Sequence, residues 1–316
     1  MSFVQKHAWS LGLLVLLLVL LGITKLIQPS FGASGLESLA RAALPFAFAT
    51  AAMAVVVIVG GIDLSVASMM AVCAVTAAVL MQTMGAVPAI LITLAVGAGM
   101  GLINGALIVI TRVPDIVVTL AMLFVWEGTA LLILNAPGGT VADWMQDGIT
   151  GSFLIDGLPN ALIILAVAVA VVWIPLKRSK LGLSIYATGS DELAAFRSGV
   201  PVGWTKIAAY GVCGLFCAMG GLSLISLTGI GEPVPGPYLM ASVAAVVLGG
   251  CVLGGGIGGL LGPIIAVFIL RIIRTILTLA AVDPNVTTIV EGTIMVAVVM
   301  FGAVLMMRRQ GKGAMA

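Results

Sequence analysis

Uninterrupted apolar runs follow one another along nearly the whole chain, at 9–27, 41–60, 64–82, 88–110, 114–135, 160–176, 206–228, 238–253, 258–280 and 287–306. No other feature limits the fold as much. Crossing a hydrocarbon core of about 30 Å takes about 20 helical residues, and in lipid the backbone must satisfy its own hydrogen bonds. Continuous rather than alternating hydrophobicity then means helices, not a barrel. Only 8% of the 316 residues are charged, against about 25% in soluble domains. The chain therefore reads as an all-α polytopic membrane protein, with about ten transmembrane helices in one transmembrane domain covering 1–316.

Lys6 ahead of the first run would suit a signal peptide, but the run is long and no A-x-A-like cleavage site follows convincingly, so it reads as a retained anchor. Lys and Arg accumulate on the cytoplasmic side of membrane proteins. With an even number of spans and the N-terminus inside, Lys6, Arg112, Lys177, Arg178, Lys180, Arg197, Lys206, Arg308, Arg309 and Lys312 all fall inside, and both termini are cytoplasmic. The outer loop 136–159 carries Asp143, Asp147 and Asp156 and no Lys or Arg. Trp9, Trp173 and Trp204 then sit near the inner interface and Trp144 near the outer, as an aromatic belt requires.

Cys73, Cys213, Cys217 and Cys251 all fall inside predicted spans. Cys213 and Cys217 share a helix face, but buried thiols behave as small apolar residues, and the lone His7 cannot build a His-rich metal site. Neither a metal nor another cofactor is expected, nor a nucleic-acid partner. Gly254, Gly256 and Gly259 satisfy G-x-G-x-x-G, yet that fingerprint works only between the strand and helix of a βαβ unit. Between two membrane helices, close packing through small residues accounts for it better. No G-x-x-x-x-G-K-[ST] occurs, so ATP is not bound through a P-loop on this chain.

The one sizeable polar segment is 177–205, KRSKLGLSIYATGSDELAAFRSGVPVGWT. Ser190 and Asp191 are N-cap types, Asp191 and Glu192 suit the positive end of a helix, and Gly199 with Pro201 stops one. The expected product is one short helix presenting Leu193, Ala194 and Phe196 beside Arg197, held between two spans. "VGGIDLS" at 59–65 and "LGGCVLGGG" at 248–256 each end a span on either side of this loop, which suggests an internal repeat of the kind found in transporters.

Few ionisable groups lie within the apolar runs. Asp63 is expected to cap the third helix, its carboxylate accepting from amides near Ser65 and Val66; the alternative is an ion or proton ligand at membrane depth. Glu127 and Glu291 lie inside spans, where a lone carboxylate costs several kcal/mol and needs a partner. Arg271 and Arg274, one turn apart in the ninth span, are the basic candidates. At least one Glu is expected to pair with this Arg face and line the outer half of a pathway, although Glu291 could instead reach the outer interface. Trp126 beside Glu127 could stack on a sugar ring or simply pack.

On "GGIDLSVAS" (60–68), "GLINGALI" (101–108), "VPDIVVTLAML" (113–123), "GLSIYATGSDELAAFRSGV" (182–200) and "AAVVLGGCVLGGGIGGLLG" (244–262), the chain resembles the permease subunits of ribose-type bacterial ABC sugar importers. The resemblance runs from the second span to the last. It implies a multi-pass protein of the bacterial inner membrane that pairs with a second copy or a close paralogue. Two ATPase subunits would bind the cytoplasmic face, and a periplasmic binding protein would deliver a monosaccharide or related small polyol to the outer face, where loops 136–159 and 229–237 would receive it. The chain itself would be no enzyme. Gly189, Ser190, Asp191, Glu192, Ala194, Ala195, Arg197, Ser198 and Gly199 would form the coupling helix that docks on the ATPase. The family commonly shows Gly-Gly-Asn where this chain has Gly189-Ser190-Asp191, and often a basic residue where it has Glu127 and Glu291. Arg271 and Arg274 stand where neutral residues are expected, a reversal that signifies either a charge-swapped pair or a substrate unlike ribose.

Two function classes remain. An ATP-driven importer uses the ordered 177–205 loop as a docking element, whereas an ion-coupled secondary transporter of a small polar solute would use the intramembrane carboxylates as coupling sites. The loop favours the importer. An intramembrane enzyme finds no support, since neither G-x-S-x-G nor H-E-x-x-H occurs.

Overall fold

The computed structural model describes the backbone of residues 3–151 and 158–313 and the side-chain surroundings of 9–151, 158–298 and 300. The side chains of Lys6, His7, Asp156, Arg308, Arg309 and Lys312 lie outside the described residues. Among the described residues the architecture is helical throughout, in the order α1 (Phe3–Ile27), α2 (Ala33–Val59), α3 (Val66–Leu80), α4 (Ala86–Thr111), α5 (Asp115–Ile133), α6 (Asp143–Ile149), α7 (Asn160–Arg178), α8 (Lys180–Ser190), α9 (Glu192–Arg197), α10 (Val202–Thr228), α11 (Tyr238–Leu248), α12 (Leu261–Leu279) and α13 (Pro284–Gly313). All ten apolar runs fall on helices.

Seven of them, α1, α2, α4, α5, α7, α10 and α12, are long and apolar enough to cross a membrane. The other three are shorter apolar helices: α3, α11 and the stretch 284–298 of α13. At about 1.5 Å per residue, α3 is only ~22 Å long and α11 ~16 Å. The expected span 238–253 stops at Leu248 because Gly249 and Gly250 follow, the latter at φ 89°. Apolar composition continues through 251–260 while the backbone leaves the helix, so Cys251 lies in this loop rather than in a span. Non-helical backbone survives at such places only when protein satisfies it. Here the Gly256 N–H donates to the Ile58 carbonyl at 2.9 Å and the Val252 N–H to Ile257 at 3.1 Å.

The core is built around α2. From Ala47 to Val59 every residue is buried, and its alanines let the neighbouring helices approach closely. α10 packs against α2, α3 and α4. On α4, Gly97, Gly101 and Gly105 recur every fourth residue and face Tyr210, Gly214 and Ile207 of α10. A Cβ at Gly101 would strike the Tyr210 carbonyl and one at Gly214 the Gly97 carbonyl. Small residues at this spacing are what bring helix backbones together without help from water.

The two ends of the bundle differ. At one, the end of α2 meets α8 and the 251–260 loop, and Trp9 of α1 donates through Nε1 to Leu248 O at 2.8 Å. Arg112, Lys177, Arg178, Lys180, Arg197 and Lys206 belong to helix ends and connections on this side. At the other, Gly138 and Gly231 form an antiparallel bridge. Nearby, the Thr140 N–H donates to Ala78 O, and Glu37 accepts from the Gly151 N–H at 2.7 Å.

Candidate functional site

The polar segment 177–205 forms two helices where one was expected. Ser179 caps α8, its Oγ accepting from the Gly182 N–H at 3.1 Å, and Ser190 is the last residue of that helix rather than a cap, donating to Tyr186 O at 2.8 Å. Asp191 alone caps α9, accepting from the Ala194 N–H at 2.8 Å. Glu192 opens α9 and pairs with Lys206 of α10 at 2.8 Å. Ser198 is the C-cap, and Gly199 turns the chain at φ 83°.

The outer face of α9 is apolar. Leu193 is 57% exposed and Phe196 67%, with Ala194 and Arg197 also exposed and Ala195 turned inward. Of the residues expected to dock on an ATPase, Ala195 is therefore a packing residue of α9, not part of its outer face.

Behind that face lies a contact between backbones. Gly189, near the end of α8, lies against the Ile58 carbonyl so closely that a Cβ there would overlap it, and it also meets Gly256 N. A Cβ on Gly255 would come within 2.6 Å of Gly189 O and 2.8 Å of Gly60 Cα. The two glycine-rich segments read as a repeat thus converge on the end of α8. Tyr186 adds a tether, donating to Gly258 O at 2.9 Å; burial, with Cys251 beside it, pushes its hydroxyl up to about 12, so it stays a donor at neutral pH.

Asp63 is fully buried and sits two residues before the cap position, which is Ser65. Its Oδ1 accepts from the Ser65 N–H at 2.9 Å and the Ser65 hydroxyl at 2.6 Å. This is a side chain bonding the backbone two residues on, and the Val66 amide expected as a second donor is not engaged. Beyond a cap, Asp63 belongs to a buried polar cluster. Asn104 of α4 donates through Nδ2 to Ser65 Oγ at 2.8 Å and to Asp63 Oδ2 at 3.4 Å, and Cys213 of α10 points its thiol at the same Oδ2 at 3.9 Å. Asn104 Oδ1 in turn accepts from the Trp126 indole at 3.2 Å. Trp126 of α5 is thereby held by a chain reaching back to the end of α2. Close by, Tyr210 donates to Asp115 Oδ2 at 3.0 Å.

Replacing Asp63 with Asn should be tolerated, because an amide oxygen can still accept from Ser65. Asp63→Leu should not be, since it strands the Ser65 N–H and hydroxyl in a dry interior at about 1–3 kcal/mol each. The folded, monodisperse fraction after detergent extraction measures the difference; equal behaviour of the two variants would contradict the bonding scheme.

At the third position, Arg274 Nη1 lies 3.2 Å from Glu291 Oε2. Arg271 stacks its guanidinium over Phe46, 4.7 Å from the ring centroid, and Phe46 packs on Tyr238 at 4.5 Å between centroids. A cavity of about 50 Å³ separates α12 from α13 there, lined by Arg271, Arg274 and Glu291. Glu127 is half-buried on α5 and forms no ion pair with a described residue, so the Arg face and Glu127 are not brought together.

Residues 35–299 match the family described as branched-chain amino acid transport system / permease component. The autoinducer 2 import system permease protein LsrD of Escherichia coli K12 is 32% identical over 97% of this chain and 96% of its own length, and LsrD of Shigella flexneri matches to the same extent. No solved structure matches the chain. With the match extending from the α2 bundle core through α8 and α9 to α13, the chain belongs to this family of permease components: it is the membrane permease subunit of an ATP-binding-cassette importer, a transport protein whose ATP hydrolysis resides in a separate subunit.

Proposed function

We propose that this chain lies in the inner membrane of a bacterium as a single ten-span domain with both termini cytoplasmic. There it pairs with a second copy or a close paralogue to enclose the path of a monosaccharide or related small polyol. The observation that carries the reading is the α8–α9 unit, a capped helix with exposed Leu193 and Phe196 braced through Gly189 on the end of α2. Such an element can receive an ATPase and pass its movement to the central helix. The relatives are named for import of autoinducer 2, which favours a small sugar-like solute delivered by a periplasmic binding protein.

The basic helix ends gathered on the α8–α9 side support the inside placement. α3, α11 and α13 complete the ten crossings in this reading, the shorter ones extended by buried non-helical chain. The binding protein is received at the opposite end, where the 136–159 and 229–237 connections meet at the Gly138–Gly231 bridge. α5 exposes Val117, Phe124 and Leu132 along one side, a face suited to the second permease; half-buried Glu127 lies beside that face, whereas Trp126 is turned to Asn104 within this chain.

The pathway assignment is tested by charge. Glu291→Gln leaves Arg274 without its partner and should lower uptake several-fold at unchanged expression, and Arg274→Glu combined with Glu291→Arg should restore part of it. Unchanged uptake in Glu291→Gln and Glu127→Gln alike would remove both residues from the path. The same vesicles separate the importer from an ion-coupled carrier: uptake should follow ATP and binding protein, not an imposed ion gradient.

A further inference from the structure

A cleft of about 1480 Å³ opens between α1, α7, α12 and the 249–260 loop, larger than the ~300–1,000 Å³ of small-molecule pockets. It follows α7 from Leu162 to Arg178, a length of ~24 Å at 1.5 Å per residue. Its lining is mostly apolar, with Leu165 and Val169 on one side, Phe268 on the other and the glycine-rich 249–260 loop between. Its chemistry changes at one mouth only. There Lys177 and Arg178 line it, with Trp173 a turn earlier on α7 and Trp9 across the gap. The first turn of α12 begins beside them without a side-chain cap. Among the described residues no Asp or Glu lines the cleft.

We propose that this cleft binds an anionic phospholipid, its phosphate held by Lys177 and Arg178 and an acyl chain lying between α7 and α12. Charge complementarity selects the occupant: a groove running most of the length of a membrane-crossing helix, apolar within and doubly cationic at one mouth, matches an amphiphile with one anionic head. Long basic side chains reach from apolar walls to the headgroup level, and indoles favour that same level. A polar solute would gain nothing from the walls. Only the choice of leaflet rests on the inside placement of Lys177 proposed above.

The test uses the assembled transporter in mild detergent, with phosphatidylglycerol or phosphatidylethanolamine added and retained lipid read by native mass spectrometry. Wild type should retain phosphatidylglycerol in preference to phosphatidylethanolamine by about 30-fold, a gain of about five-fold per cation. The double variant Lys177→Gln, Arg178→Gln should lose most of that preference. Ala166→Trp, which fills the cleft from an exposed position on α7 and leaves both cations in place, should lower retention of either lipid. Equal retention of the two lipids by wild type would overturn the proposal, as would retention indifferent to both variants. So would efficient cross-linking of Ala166→Cys to a second copy in native membranes, which would make the cleft a protein interface. None of these readings depends on transport, so a failed lipid assignment leaves the importer proposal standing, and a failed importer proposal leaves the lipid measurement intact.

Discussion

Phe196→Asp, and more so Leu193→Asp with Phe196→Asp, should release the ATPase from the purified complex while the permease remains inserted and monodisperse. Both side chains are more than half exposed on a six-residue helix whose geometry is fixed from within by the Asp191 cap and the Lys206–Glu192 pair, so the change reaches the partner rather than the fold. A buried aromatic anchor at a protein interface is worth about 2–4 kcal/mol, equivalent to roughly 30- to 1,000-fold in affinity. A carboxylate placed in its pocket adds a desolvation cost. Uptake should fall with the loss of ATPase. Ala194→Glu should weaken the complex less, being smaller in contact, and Ala195→Glu should disturb the permease itself because that side chain faces inward. Copurification of the ATPase at wild-type stoichiometry with the double variant would mean that α9 is not the docking helix.

The second large effect is expected at Gly189. A valine there must push its Cβ into the Ile58 carbonyl and to within 2.5 Å of Gly256 N. Both obstacles are backbone and cannot swing aside. Overpacking costs about 1–3 kcal/mol even where side chains can yield, so α8 has to lift from the end of α2. With α9 still capped and exposed, the ATPase should remain bound, yet binding-protein-stimulated hydrolysis and uptake should be lost together. Gly199→Ala is the control: its positive φ costs about 1–2 kcal/mol, but no atom lies within 4 Å of the new methyl, and transport should survive. Normal uptake in Gly189→Val would mean that movement does not pass through the α8–α2 contact.

Much of this was legible in the residues, for identifiable reasons. Long apolar runs have only one solution in lipid, so the all-helical membrane architecture follows. What the runs do not encode is where glycine breaks the helix inside an apolar stretch, which is why α11 stops at Leu248 and seven helices rather than ten are long enough to cross. Asp191 announced α9 through its cap, whereas α8 was hidden because Gly182 and Gly189 make KLGLSIYATGS read as a loop. Those glycines answer to the tertiary contacts at Leu176 and Ile58, not to local preference. The Arg274–Glu291 pair follows from the cost of lone charges in lipid, and Glu127, which forms no ion pair with a described residue, shows the limit of that argument. Asn104 was visible as a lone amide within the 88–110 run. Its role depended on Asp63, Ser65 and Trp126 meeting from three other segments, which no spacing along the chain reveals.

The central claim is that this permease is driven from its α9 face by a separate ATPase. The most direct measurement is mild affinity purification from native membranes with counting of the copurifying chains, followed by reconstitution with and without ATP. Two ATPase subunits per pair of permeases are expected, with uptake that requires ATP and binding protein. A permease that comes out alone and still moves solute in ion-loaded vesicles would contradict it.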